Sequence, residues 1–75
     1  MDYQEWKSVM RAKARLARGL VNLLEDDTKQ IFIDVEDLDM FSLKEAICEA
    51  KRTSQTLMDT ITDLERDLRY IKQDA

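Results

Sequence analysis

Four basic side chains near the amino terminus are the clearest candidates for anion-binding chemistry. They are Lys7, Arg11, Arg15 and Arg18, at successive spacings of four, four and three residues. On a helix this spacing places them along one basic stripe, which could contact nucleic-acid phosphates, an acidic protein surface or anionic lipid. An ordinary solvated helix face is the alternative, so the pattern predicts the stripe and leaves its partner open.

The residue types give little support to catalysis or metal binding. The 75 residues include no histidine and one cysteine, Cys48, so the chain cannot form a Cys/His dyad or a tetrahedral Cys/His zinc site. The acidic run 34–39 lacks the glycine and the final glutamate that an EF-hand calcium loop requires. We therefore predict a protein that is not an enzyme and that uses no cofactor or metal.

Charge divides the chain into three parts. Residues 1–24 carry a net charge of +3, residues 25–40 carry −6 and residues 41–75 carry −1, which gives the chain its net charge of −4. The acidic part could occupy a basic groove of another protein, or it could pair with the basic stripe of a neighbouring subunit. The second interpretation is the simpler one, because it needs no outside partner.

The first predicted element is a helix over about residues 3–25, where apolar residues recur at helical spacing. Its apolar face is wider than a two-helix seam requires, which indicates more than one neighbour. Tyr3 and Trp6 lie one turn apart near its start, with Met10 following, and would form an anchor patch if they were exposed. We take Trp6 and Met10 as candidate partner-binding residues, together with Ile31, Phe32 and Ile33.

An acidic connector is predicted over residues 26–41. Within it, residues 31–35 alternate β-branched and other side chains, a pattern typical of a strand. A single strand would have to pair with the same segment of a second subunit or with an edge strand of a partner, because the chain offers no other strand. The alternative is an irregular apolar loop that caps the end of a bundle, and both interpretations stay open.

A long second helix is predicted over about residues 42–73. Ser42 and Glu45 have the spacing of a capping box, and no glycine or proline follows. From Met40 onward, spacings of three and four alternate, which is the 3.5-residue repeat of a coiled coil. The predicted oligomer seam consists of Leu43, Ile47, Ala50, Ser54, Leu57, Ile61, Leu64, Leu68 and Ile71.

The fold class that follows is all-α: one domain over residues 1–75, formed by a two-helix hairpin. The second helix, of about 32 residues, would project beyond a first helix of about 23 residues and leave Leu68 and Ile71 uncovered. Exposure of such side chains forfeits about 1.5–3 kcal/mol each. We therefore expect a homodimer in the form of a four-helix bundle.

The function predicted from these features is protein–protein interaction without catalysis. The chain would be a small cytoplasmic adaptor, inhibitor or assembly factor that binds itself and one unidentified protein. A cytoplasmic location is expected because the sequence has no secretory signal, no apolar stretch long enough to span a bilayer and one cysteine. The alternative is a small helical nucleic-acid-binding regulator that uses the basic stripe, although the acidic net charge disfavours it.

Overall fold

Two long helices, placed side by side and antiparallel, make up the structure. It is a computed structural model that describes residues 2–74, with the side chains of residues 2–69. Helices α1 (Tyr3–Asp37) and α2 (Met40–Asp74) have 35 residues each, and the backbone extends over 55 × 15 × 12 Å. The predicted all-α hairpin is confirmed. Over the described residues, neither helix has a stretch apolar enough to cross a bilayer.

Residues 26–37 continue α1 and do not form a connector. The expectation of a strand or a loop at residues 31–35 is wrong, and no strand occurs between residues 2 and 74. The local preference of Ile31 and Ile33 for strands is weak compared with tertiary packing. Ile31 and Asp34 lie on the side of α1 that contacts α2, so their packing favours the helix.

Leu38 and Asp39 form the whole turn between the helices. Leu38 has left-handed backbone angles, φ 56° and ψ 33°. The N–H of Leu38 donates to the carbonyl of Val35 at 3.2 Å, and the N–H of Asp39 donates to the carbonyl of Asp34 at 3.0 Å. This is a Schellman motif, in which the carbonyl groups at the end of α1 are satisfied.

Asp39 also caps the start of α2. Its Oδ1 accepts a hydrogen bond at 3.1 Å from the backbone N–H of Ser42, the third residue of α2. The predicted Ser42 capping box is therefore wrong, and α2 begins at Met40. The Ser42 hydroxyl instead donates to Asp34 Oδ2 across the turn at 2.9 Å.

The equal lengths of the helices overturn the argument that α2 projects beyond α1. Because α1 extends to Asp37, it runs beside α2 over nearly its whole length. Leu68 is exposed for a different reason, which is the rotation of α2 about its own axis. The side chain of Ile71 lies outside the described residues.

The hairpin has a small core. Among the described side chains, the buried apolar residues are Leu20 and Ala46, and the buried polar residues are Asp34, Thr53 and Thr60. The accessible area is 6088 Å², whereas a typical folded protein of this mass exposes about 4,800 Å². Two helices alone form a layer only one helix thick, which leaves both of its sides open.

The turn generates a stability prediction. Leu38→Gly should raise the free energy of unfolding by about 1 kcal/mol, because glycine adopts left-handed angles without the steric cost that a side chain adds. Little packing is lost, since Leu38 is 80% exposed. Urea unfolding at one fixed protein concentration measures the change. Leu38→Ala is the control, because it removes the same side chain and keeps the strain; equal stability of the two variants would contradict the prediction.

Candidate interaction surface

The helices meet along a seam that follows a 3.5-residue repeat on both of them. On α1 the buried or half-buried side chains are Trp6, Met10, Lys13, Ala17, Leu20, Leu24, Asp27, Ile31 and Asp34. On α2 they include Leu43, Ala46, Ala50, Thr53, Leu57, Thr60, Leu64 and Asp67. Spacings of three and four alternate in both series, which is the geometry of an antiparallel coiled coil.

Two polar contacts fix the register of this seam. Thr53 Oγ1 donates to Asp27 Oδ2 at 3.1 Å, and Lys13 Nζ lies 2.5 Å from Asp67 Oδ2. A step of fourteen residues along α1 is thus matched by a step of fourteen residues back along α2. The indole N–H of Trp6 adds a third contact, to the backbone carbonyl of Asp67 at 3.0 Å.

Asp34 is the most deeply buried polar residue at the turn end of the seam. Its carboxylate accepts hydrogen bonds from Gln30 Nε2 and from Ser42 Oγ, both at 2.9 Å. Among the described side chains, no buried nitrogen or oxygen atom lacks a hydrogen-bond partner. Buried polar groups that are fully paired add little net stability, but they penalise any other register, in which they would lose their partners.

The predicted oligomer seam of α2 divides into two stripes. Leu43, Ala50, Leu57 and Leu64 are half-buried against α1, whereas Met40, Ile47, Ser54, Ile61 and Leu68 are exposed. The exposed fractions are 42% for Ile47, 49% for Ile61 and 45% for Leu68. The exposed stripe lies directly beside the half-buried one, so α2 is apolar toward α1 and toward one open side of the hairpin.

Residues of α1 also line this open side of the hairpin. A groove there is lined by residues of both helices, among them Leu24, Thr28, Ile31, Ile47, Ala50, Ser54 and Met58. Val21 and Val35 lie seven residues before and after Thr28, so they share its stripe and are also exposed. We call this side the apolar face: Val21, Thr28 and Val35 on α1, and Met40, Ile47, Ser54, Ile61 and Leu68 on α2.

The opposite side of the hairpin is different in character. A groove on that side is lined by charged and polar residues that include Asp27, Gln30, Glu45, Glu49 and Arg52. Helix α1 adds exposed apolar side chains there, namely Val9, Leu16 and Leu23. We call this side the charged face, because α2 contributes few apolar groups to it.

The candidate partner-binding residues do not form one patch. Trp6, Met10 and Ile31 are half-buried in the seam, whereas Phe32 and Ile33 are exposed and point away from α2. Trp6 and Ile31 are about 38 Å apart along α1 at 1.5 Å per residue. Trp6 contacts Tyr3, with ring centroids 5.9 Å apart. The anchor patch predicted at the amino terminus is therefore partly used by the hairpin itself.

The basic stripe lies on the exposed surface of α1. Lys7, Arg11, Arg15 and Arg18 are all exposed, and no ion pair among the described side chains includes them. Over the same part of the chain, no group of three or more Asp, Glu, Cys or His side chains is placed to hold a metal ion. Cys48 is a free, exposed thiol.

Sequence reasoning missed the polar half of the seam. Lys13, Asp27 and Asp34 on α1, and Thr53, Thr60 and Asp67 on α2, occupy core positions that a search for apolar periodicity passes over. A signal was present, because polar residues that recur at multiples of seven fall on one face of a helix in a coiled coil. This signal identifies the face that each helix turns toward the other only when the polar positions of the two helices are compared.

The polar seam generates a prediction with a matched control. Thr53→Val should lower the free energy of unfolding by about 1 kcal/mol, because Asp27 loses its donor from α2. Thr60→Val should change it by less than about 0.5 kcal/mol, since that hydroxyl bonds only to the Thr56 carbonyl of its own helix. Both residues are buried. Chemical unfolding compares the two variants, and a larger loss at residue 60 would argue against the register role of Thr53.

No protein-family model, curated protein or solved structure matches this chain. The features of the chain that bear on its function are the apolar face, the polar seam and the distribution of charge.

Proposed function

We propose that the chain is a small protein–protein interaction module that works as a homodimer, without catalysis. The observation that carries this proposal is the apolar face, where Ile47, Ile61 and Leu68 stand exposed in one stripe. Contiguous apolar surface of this kind marks an interaction site on a soluble protein. Two hairpins that cover each other's apolar face form a four-helix bundle.

The accessible area supports a second copy as the occupant. The chain exposes 6088 Å², about 1,300 Å² more than is typical for its mass. If each copy buried this excess, the dimer interface would total about 2,600 Å², within the range of about 2,000–5,000 Å² found for obligate homodimers. A two-fold dimer also uses one patch twice, so the chain needs no second complementary surface.

The heptad repeat of α2 is consistent with this arrangement. A helix in a four-helix bundle contacts two neighbours, so it needs a wider apolar side than a helix in a two-stranded coiled coil. On α2 the stripe of Leu43, Leu57 and Leu64 packs on α1, and the adjacent stripe that includes Ile47 and Ile61 is free for the second copy.

The outer surface of the dimer would then serve a further protein. Ile33 points away from the seam and is exposed, and large apolar side chains of this kind act as anchors in interfaces, whereas Phe32 lies seven residues after Glu25 on the side of α1 that borders the apolar face. An adaptor, an inhibitor or an assembly factor fits such a surface. We place this activity in the cytoplasm, because the exposed free thiol of Cys48 suits a reducing compartment.

Nucleic-acid binding is the second candidate function. The observation that favours it is the exposure of all four side chains of the basic stripe. Four phosphate contacts would give binding that weakens strongly as salt rises. The net charge of −4 works against such binding at long range.

The dimer proposal predicts different effects on the two sides of the hairpin. Ile61→Asp should convert the dimer to a monomer, because it places a charge in the centre of the apolar face. Leu23→Asp is the matched control: Leu23 is 55% exposed, against 49% for Ile61, but it lies on the charged face. Sedimentation equilibrium over a range of concentrations measures the mass, and the control should remain a dimer. Wild-type protein that sediments as an 8.8 kDa monomer at every concentration would overturn the proposal.

A parallel series with nucleic acid tests the second candidate. If the chain is an interaction module, its mass stays that of a dimer when nucleic acid is added at low salt. A higher mass that disappears at high salt, and that is lost in the Arg11→Ala/Arg15→Ala variant, would instead support the nucleic-acid-binding regulator.

A further inference from the structure

We infer that the second copy packs on the apolar face with its turn at the opposite end of the bundle, so that α1 lies beside α1 and α2 beside α2. This inference rests on the proposed homodimer and specifies its arrangement. It follows from the distribution of charge along the hairpin and from the register of the seam.

Two arrangements bring the apolar faces together around a two-fold axis. If the axis runs along the hairpin, both turns lie at the same end, and α1 packs beside α2 of the second copy. If the axis runs across the hairpin, the turns lie at opposite ends, and each helix packs beside its own copy. All neighbouring helices are antiparallel in both cases, so apolar packing alone does not choose between them.

The difference in charge between the two halves of the hairpin favours the arrangement with the turns at opposite ends of the bundle. The half that includes the turn, residues 20–60, carries ten acidic and four basic side chains, a net charge of −6. The other half, residues 2–19 and 61–74, carries six acidic and eight basic side chains, a net charge of +2. With the turns at the same end, two halves of charge −6 would lie against each other, whereas opposite ends pair −6 with +2.

The register of the seam locates the two-fold axis. Lys13 is opposite Asp67, and Asp27 is opposite Thr53, so Leu20 and Thr60 mark the middle of the hairpin. If the two hairpins overlap over their whole length and have their turns at opposite ends, the two-fold axis passes through the bundle at the level of Leu20 and Thr60. Ile61 on α2 then lies close to Ile61 of the second copy, and Val21 on α1 lies close to Val21 of the second copy.

The charged border of the apolar face gains specific partners in this arrangement. Arg18 and Glu25 lie on the side of α1 that borders the face, seven residues apart. Across an axis at the level of Leu20, Arg18 comes within about one helical turn of Glu25 of the second copy. The basic stripe of one chain therefore reaches the acidic segment of the other. With both turns at the same end, Arg18 would instead face Glu65, and Glu25 would face Lys51, so these pairs distinguish the two arrangements in an experiment, and the choice between them rests on the charge of the two halves.

Disulfide trapping separates the two arrangements. In a Cys48→Ser background, Ile61→Cys and Val21→Cys are prepared as two single-cysteine variants. Each should form a disulfide-linked dimer with itself on mild oxidation, because the sulfur atoms meet near the axis. If the turns lie at the same end, residue 61 instead faces residue 21 of the second copy, and crosslinks form only when the two variants are mixed. That result would overturn the arrangement and leave the homodimer intact.

Charge exchange gives a second, independent measurement. Arg18→Glu and Glu25→Arg should each weaken the dimer about three- to tenfold, and the double variant should recover most of the loss. Glu25→Arg combined with Lys51→Glu is the control, which recovers affinity only if the turns lie at the same end. Two results would also overturn the proposed use of the apolar face: a Cys48→Ser protein that is monomeric, or a dimer that forms no crosslink with either single-cysteine variant or with their mixture.

Discussion

The hydrogen bond between Thr53 and Asp27, with the ion pair between Lys13 and Asp67, determines how α2 is rotated against α1. These polar groups face inward, so Ile47 and Ile61 turn outward. A hairpin that evolved to be stable alone would bury the isoleucines first, because each contributes about 1.5–3 kcal/mol when it leaves water. The observed rotation gives up about half of that stabilisation within the chain, because Ile47 and Ile61 are 42% and 49% exposed, and leaves it available to the proposed interface.

The rotation of α2 that leaves Ile47 and Ile61 exposed has consequences for folding. The hairpin buries Leu20 and Ala46 among its apolar residues, and the rest of its seam is half-buried or polar. If folding and dimerisation are coupled as proposed, the apolar face supplies a large part of the stabilisation, and stability depends on protein concentration. The polar seam then acts mainly to select one register, because a shift of one helix against the other would leave half-buried Asp27 without its donor Thr53 and buried Asp34 with only Gln30 of its own helix.

Much of this architecture was predictable from sequence, and the exceptions have physical causes. The 3.5-residue repeat on α2 identified both of its apolar stripes, but periodicity does not tell which neighbour covers each stripe. Residues 31–35 resemble a strand by local preference, and the packing of Ile31 on α2 overrides that preference. Asp39 and Ser42 both qualify as helix caps, and the left-handed Leu38 places Asp39 at the start of α2.

The difference between the two sides of the hairpin also explains why association would stop at two copies. A hairpin that was apolar on both sides would present a fresh apolar surface after each addition and could extend without limit. Here the second side of α2 carries Glu45, Glu49 and Arg52, which stay solvated. Leu16 is on the same side and, by the register of the seam, lies level with residue 64, next to Asp63, so another copy that packed there would have to desolvate that carboxylate as well. In the proposed dimer, this desolvation cost would limit the assembly to a bundle of four helices.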